Sequence, residues 1–202
     1  MIVIVDYDTG NTLSISKAFE KIGLETLISA DPGDILTASG IILPGVGAFP
    51  KAMTALNTHG LSDVLKQAVA QGIPLLGICL GMQLLFEKSL EYGTTAGLGF
   101  IPGEVVPFPK DLNLSIPHMG WNQLELTQRD DFVAGMAKKF VYYVHSYYVA
   151  CPQEFILAES EYGLKVPSVV KKGRVYGTQF HPEKSGQVGQ ELLKAFKQEV
   201  EK

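Results

Sequence analysis

The run Ile73-Pro74-Leu75-Leu76-Gly77-Ile78-Cys79-Leu80-Gly81 leaves few options for the structure around it. An uncharged apolar run of this length fits a strand buried on both faces, and such strands belong to parallel sheets with helices on each side. The Gly-x-Cys-x-Gly that ends it leads into Met82-Gln83-Leu84-Leu85-Phe86, a helical pattern. Strand, Gly-x-nucleophile-x-Gly and helix make a sharp elbow that presents its central side chain, here sulfur in the place of the more common serine. The glycines are expected because such a turn crowds its own backbone. At a helix N-terminus, the unpaired N–H groups and the helix dipole favour the thiolate, the reactive form of Cys79. Taken alone, the stretch fits a buried structural cysteine equally well.

The rest of the chain agrees with a parallel sheet. Met1–Val5 and Gly40–Leu43 are further buried-strand runs, and Leu24–Ala30 is a half-polar strand closed by a turn at Asp31-Pro32-Gly33. Ile15, Ala18, Phe19 and Ile22 fall at helical spacing before Gly23, and helical patterns cover Phe49–Leu56 and Leu61–Ala70. After Gly103 the texture changes to short β-rich runs: Gly103–Phe108, Phe140–Tyr148, Glu154–Glu161 and Ser168–Phe180, the last with a hairpin turn at Lys172-Gly173. A final amphipathic helix carries Val188, Leu192, Leu193, Phe196 and Val200. The expected fold is α/β: an open, mostly parallel, flavodoxin-like central sheet flanked by helices, with an antiparallel β-rich extension in the C-terminal half. Residues 1–202 are expected to form one domain, since no linker-like segment divides them.

Composition narrows the function classes. A net charge of −4 gives no field for nucleic acid or an anionic membrane. Two cysteines, Cys79 and Cys151, argue for a reducing compartment rather than a disulfide framework. With no signal-peptide pattern at the N-terminus and no apolar stretch near the ~20 residues that span a bilayer, the expected location is the cytoplasm.

Two more strand ends carry candidate chemistry. Phe180-His181-Pro182-Glu183 follows the apolar run Val175–Phe180, and ligands of open α/β sheets bind outside the carboxyl ends of strands. His181 is placed to take the Cys79 proton, and Glu183 to orient and stabilise the imidazolium. Pro44-Gly45-Val46-Gly47 follows another buried strand, and its N–H groups, with that of Leu80, suit an oxyanion hole. Each stretch alone also reads as an ordinary strand-end histidine or turn.

Together, Gly77-Ile78-Cys79-Leu80-Gly81-Met82-Gln83 and Phe180-His181-Pro182-Glu183 resemble the class I, or triad, glutamine amidotransferase family, over nearly the whole chain. The resemblance implies a Cys79-His181-Glu183 triad that hydrolyses the side-chain amide of glutamine through a γ-glutamyl thioester, without a cofactor. It implies an oxyanion hole at Gly47 and Leu80, and substrate contacts from Gly45, Gln83, Ser146 and Tyr147.

Pro117-His118-Met119-Gly120-Trp121-Asn122, together with Asp6-Tyr7, Gly10-Asn11 and Lys184-Ser185, resembles one subgroup of that family. Its members pass ammonia to a (βα)8-barrel cyclase subunit that makes imidazole glycerol phosphate in histidine biosynthesis. Asp8-Thr9 departs from the subgroup's pattern, where a glycine is common. The implied partner face carries Asn11, Trp121, Asn122, Tyr142 or Tyr143, and Lys184, with Trp121 as an aromatic anchor. Without the resemblance, Trp121 reads as a core residue. His118 and His145 lack metal-ligand spacing, so no metal is expected; His59 reads as a helix-end surface residue and Cys151 as inert. Two other readings remain: a triad glutaminase of another synthase, and a non-catalytic subunit of the same fold.

Overall fold

A computed structural model describes all 202 residues. The first half alternates strands and helices: β1 (Ile2–Val5), α1 (Thr12–Glu20), β2 (Thr26–Ser29), α2 (Pro32–Leu36), β3 (Gly40–Leu43), α3 (Phe49–Thr58), α4 (Leu61–Ala70), β4 (Leu75–Ile78) and α5 (Leu80–Leu84). Strands dominate afterwards: β5 (Phe86–Ser89), β6 (Thr95–Ala96), β7 (Ile101–Pro107), β8 (His118–Gln123), β9 (Glu125–Leu126), β10 (Phe140–His145) and β11 (Tyr147–Ala150). The chain closes with β12 (Ile156–Glu161), β13 (Lys165–Lys172), β14 (Val175–Thr178) and α6 (Gly186–Glu201).

Eight strands form the central sheet in the order β2-β1-β3-β4-β14-β13-β12-β9. From β2 to β14 every pairing is parallel, and from β14 to β9 every pairing is antiparallel. The core therefore has two layers, because alternate residues of a strand point to opposite faces. Val3, Ile41, Leu43 and Leu75 pack under α2, α3 and α4 with Ile35, Leu56 and Leu65. Ile2, Ile4, Ile42 and Leu76 pack under α1 and α6 with Phe19, Leu193 and Phe196. The mostly parallel sheet with its antiparallel extension matches the expectation from the sequence.

Several local expectations are corrected. Asp31-Pro32-Gly33 opens α2 instead of making a free turn: the Asp31 carboxylate accepts from the N–H groups of Gly33 and Asp34, and Pro32 sits where a helix needs no donor. The hairpin turn is Gly173-Arg174, one residue later than expected, since Lys172 pairs with Val175. The helix after Cys79 lasts only five residues. Its continuation is captured by β-pairing, with Phe86 opposite Ile101 and the Leu85 carbonyl accepting from Phe100 and Ile101.

Phe140–Tyr148 is not one strand. It breaks at Ser146, so that β10 pairs with β8 in a two-stranded ribbon while β11 joins β7, β5 and β6 in a separate sheet. That break forms one wall of the site described next.

Candidate active site

Cys79 is held by strain. It sits at φ 55° and ψ −110°, a region that L-residues rarely adopt. Its N–H extends the ladder to the Thr178 carbonyl at 2.7 Å, and its own carbonyl receives Gln83 N–H at 3.3 Å. The flanking glycines are obligatory. A Cβ on Gly77 would stand 2.5 Å from the Gly81 carbonyl oxygen, and one on Gly81 would collide with the carbonyl of Leu43. With five residues, α5 contributes its unpaired first-turn N–H groups more than a macrodipole.

Topology then assembles the rest. β3, β4 and β14 are neighbours, so the segments leaving their carboxyl ends meet on one rim. Those segments hold Gly45 to Gly47, Cys79 and His181. An open cavity of about 300 Å³ lies there, at the small end of the ligand-pocket range. Its lining includes Gly47, Cys79, Leu80, Gln83, Ser146, Tyr147 and His181. Gly45 does not line it: a Cβ there would meet Tyr7 Oη at 2.8 Å and Gly81 N at 2.9 Å, so this glycine permits the close approach of strand and elbow. Gly47, at φ 95°, has open space beside it.

His181 Nδ1 and Glu183 Oε1 are 2.8 Å apart, and both side chains are almost completely buried. Glu183 lies in a 3-10 turn at Pro182–Lys184, which fixes it two residues beyond the ring. Burial opposes charge on His181, but the facing Cys79 sulfur and the Glu183 carboxylate outweigh it, and the imidazole pKa is raised well above its usual value. His181 Nε2 and Glu183 Oε2 make no hydrogen bond. The Cys79 thiol points to the Val144 carbonyl, with Sγ 3.8 Å from that oxygen. Gln83 Nε2 donates to Tyr147 O at 2.9 Å and Gln179 Oε1 at 3.0 Å, which leaves its carbonyl oxygen as the group for a ligand.

The sequence reading missed Glu91, which is buried in the lining. Its Oε2 accepts the Phe49 N–H at 2.7 Å and so caps α3, whose own N-cap residue Ala48 has no side-chain acceptor. That uncapped helix start was the available signal. Lys184 also lines the cavity, and its Nζ lies 5.9 Å from the Tyr142 ring, so it joins the cavity to the outer face of the β8–β10 ribbon.

That face is apolar and unpartnered. Met119, Trp121 and Phe140 are each more than half exposed, and Trp121 meets the half-buried Tyr142 edge to face at 6.0 Å. Tyr143, expected there as the alternative to Tyr142, points inward instead. Strand alternation sends it to the core, where its hydroxyl bonds Ser160 at 2.7 Å and Ser168 at 2.6 Å. Asn122 also turns inward, towards His118 and the Glu161 carbonyl. Asn11 stands at the start of α1, apart from the cavity. His59 ends α3 and pairs with Asp8 at 3.0 Å, and burial pushes the Cys151 thiol up to about 12. No helix is long and apolar enough to cross a membrane.

The chain also matches known proteins over nearly its whole length. The family model "Glutamine amidotransferase class-I" matches residues 3–199. The chain is 55% identical over 198 residues to the imidazole glycerol phosphate synthase subunit HisH of Listeria monocytogenes, covering 98% of this chain and 95% of that one. It is 56% identical over 201 residues to the protein of the same name from Lacticaseibacillus casei, covering 100% and 97%. Among solved structures, a glutamine amidotransferase superposes with a TM-score of 0.78 at 20% identity over the full length of both chains, a likeness of fold.

Proposed function

The chain belongs to the class I glutamine amidotransferase family, and from that premise we propose that it is the glutaminase subunit of imidazole glycerol phosphate synthase. The observation that carries the chemistry is the adjacency of β3, β4 and β14, which brings Gly47, Cys79 and His181 to one cavity. The cavity suits a zwitterionic amino acid. The Glu91 carboxylate faces the α-ammonium, while Gln83 Oε1 and the Ser146-Tyr147 turn hold the remaining polar groups.

In the first half-reaction the Cys79 thiolate adds to the δ-carbon of glutamine. The oxyanion forms against the N–H of Leu80, which as the first residue of α5 has no intrahelical acceptor, and against the loop at Gly47. Protonated His181 gives its Nε2 proton to the leaving nitrogen, the C–N bond breaks, and ammonia and the thioester remain. Water then attacks the thioester with His181 as base. The C–S bond breaks, glutamate leaves, and the thiolate and imidazolium are restored. Glu183 holds the ring and its charge throughout.

The proposed partner is the (βα)8-barrel cyclase of the same synthase, in a cytoplasmic heterodimer, docked on the Trp121–Tyr142 face. Support comes from the half-exposed aromatic patch beside the cavity, the bridging place of Lys184, and the near-complete alignment with the Listeria and Lacticaseibacillus subunits. Glutaminase activity is low alone and rises when the nucleotide-loaded cyclase binds. The experiment is an ammonia-release assay with purified acceptor subunits of several glutamine-dependent synthases in exchange. Stimulation by the cyclase alone supports this reading, and stimulation by a different acceptor identifies a glutaminase of another pathway.

A further inference from the structure

Two buried histidines outside the triad, His118 and His145, face each other with Nδ1 and Nε2 2.9 Å apart. The groups at the two ends of this pair fix every proton in it. His145 Nδ1 lies 2.8 Å from the Tyr147 carbonyl, which only accepts, so Nδ1 carries the proton and Nε2 of the neutral ring is an acceptor. His118 must then donate from Nδ1, leaving its own Nε2 to accept. That nitrogen faces Asn122 Nδ2 at 3.2 Å, whose second hydrogen goes to the Glu161 carbonyl at 2.8 Å. The Asn122 amide orientation is set in turn by Gln123 N–H donating to Oδ1 at 2.8 Å.

All the bonds thus run one way, from β8 to the Ser146-Tyr147 turn. The His118 ring is clamped between Tyr143, at 4.5 Å, and Tyr162, at 4.0 Å, both nearly parallel to it. Burial lowers His118 to about 4 and His145 to about 3, so both rings are neutral near pH 7.

We propose that the His118–His145 pair is the positioning link through which a partner docked on the Trp121 face sets the substrate turn at Ser146-Tyr147. This rests on the reading of the chain as a partner-stimulated glutaminase. At one end Asn122 is the immediate neighbour of Trp121 on β8. At the other, the Tyr147 carbonyl receives both His145 and Gln83 and so ties the turn to the opposite wall of the cavity. The turn is also where the chain leaves the β8 ribbon for another sheet.

The test compares stimulation, the ratio of glutaminase kcat/KM in the cyclase complex to that of the isolated chain, in wild type, His118→Phe and His118→Asn. Phenylalanine keeps the ring between the two tyrosines and removes both nitrogens. Asparagine keeps a donor near the Nδ1 position. Leaving His145 Nε2 without its donor is expected to cut stimulation at least about tenfold, chiefly through KM for glutamine, and His118→Asn, which restores that donor but not the acceptor for Asn122, to fall between His118→Phe and wild type. Subunit affinity stays within about threefold, because no docking side chain is changed. Nitrogen-15 NMR of the wild type should find both rings in the Nδ1–H tautomer.

Unchanged stimulation in His118→Phe, or an Nε2–H tautomer at either ring, overturns the proposal. If His118→Phe does not fold, full wild-type stimulation in His118→Asn, which has lost the Asn122 bond, does the same. No stimulation of the wild type would remove the partner reading itself, and the link with it, while leaving the tautomer result standing.

Discussion

Replacing Glu183 with glutamine tests the triad where the structure is most specific. The change is nearly isosteric and the Glu183 carboxylate is enclosed: Oε1 lies 2.8 Å from His181 Nδ1, and Oε2 is buried without a hydrogen bond. Glutamine has two orientations there, and both fail. With its oxygen towards Nδ1, the amide N–H₂ takes the Oε2 position and is buried without an acceptor. With its nitrogen towards Nδ1, it donates to an atom that must itself carry a proton, and the ring is driven to the wrong tautomer. In either case the imidazolium that must protonate the leaving ammonia is a buried cation without its counter-ion. Removing one partner of a buried pair costs about 3–5 kcal/mol. At about 1.4 kcal/mol per tenfold, kcat in the cyclase complex should fall about 10²–10⁴-fold with KM for glutamine little changed. The assay is glutamate release from the purified complex at saturating glutamine. A variant with kcat within about threefold of wild type would refute the role given to Glu183.

Three further outcomes follow from the same geometry. Gly81→Ala forces the elbow away from the Leu43 carbonyl, and overpacking of this kind costs about 1–3 kcal/mol; thermal unfolding should register it, and glutamate release should fall with the displaced oxyanion site. Trp121→Ala should weaken cyclase binding in calorimetry by about 2 kcal/mol or more, while the melting temperature of the free chain barely moves, since the side chain is 57% exposed. The pKa of His181 is raised on folding, to about 10, so its contribution to stability is complete below the unfolded value of about 6.5 and is lost as pH rises towards 10. The urea midpoint should therefore drop over that window by more in wild type than in Glu183→Gln, and parallel curves would contradict the charge assignment.

Much of the site was legible because its parts are local. Buried apolar runs marked β1, β3, β4 and β14, and each candidate motif lay at the carboxyl end of one of the last three. That β3, β4 and β14 are neighbours is a fact of topology, and only their chemical complementarity pointed to it. What stayed hidden depends on long-range pairing. Phe140–Tyr148 is one continuous β-forming run, and nothing within it says that Ser146 hands the chain from one sheet to another. Alternation places Tyr142 and Tyr143 on opposite faces without saying which is inside; Ser160 and Ser168 settle that. His118 and His145 are 27 residues apart in sequence and meet through β8–β10 pairing, in which they stand directly opposite. The Asp31-Pro32 pair serves a turn and a helix start equally, and packing of α2 against α4 decided for the helix.

Whether this chain releases ammonia from glutamine for a cyclase to use is tested most directly by the Cys79→Ala complex assayed with each nitrogen source. Cys79 is the only protein nucleophile in the proposed reaction, and the cyclase chemistry belongs to the proposed partner. Glutamine-dependent synthesis of imidazole glycerol phosphate should vanish, while synthesis from added ammonium salt should continue at the wild-type level. Persistence of the glutamine-dependent reaction would contradict this role, as would loss of the ammonia-dependent reaction in a complex that still assembles.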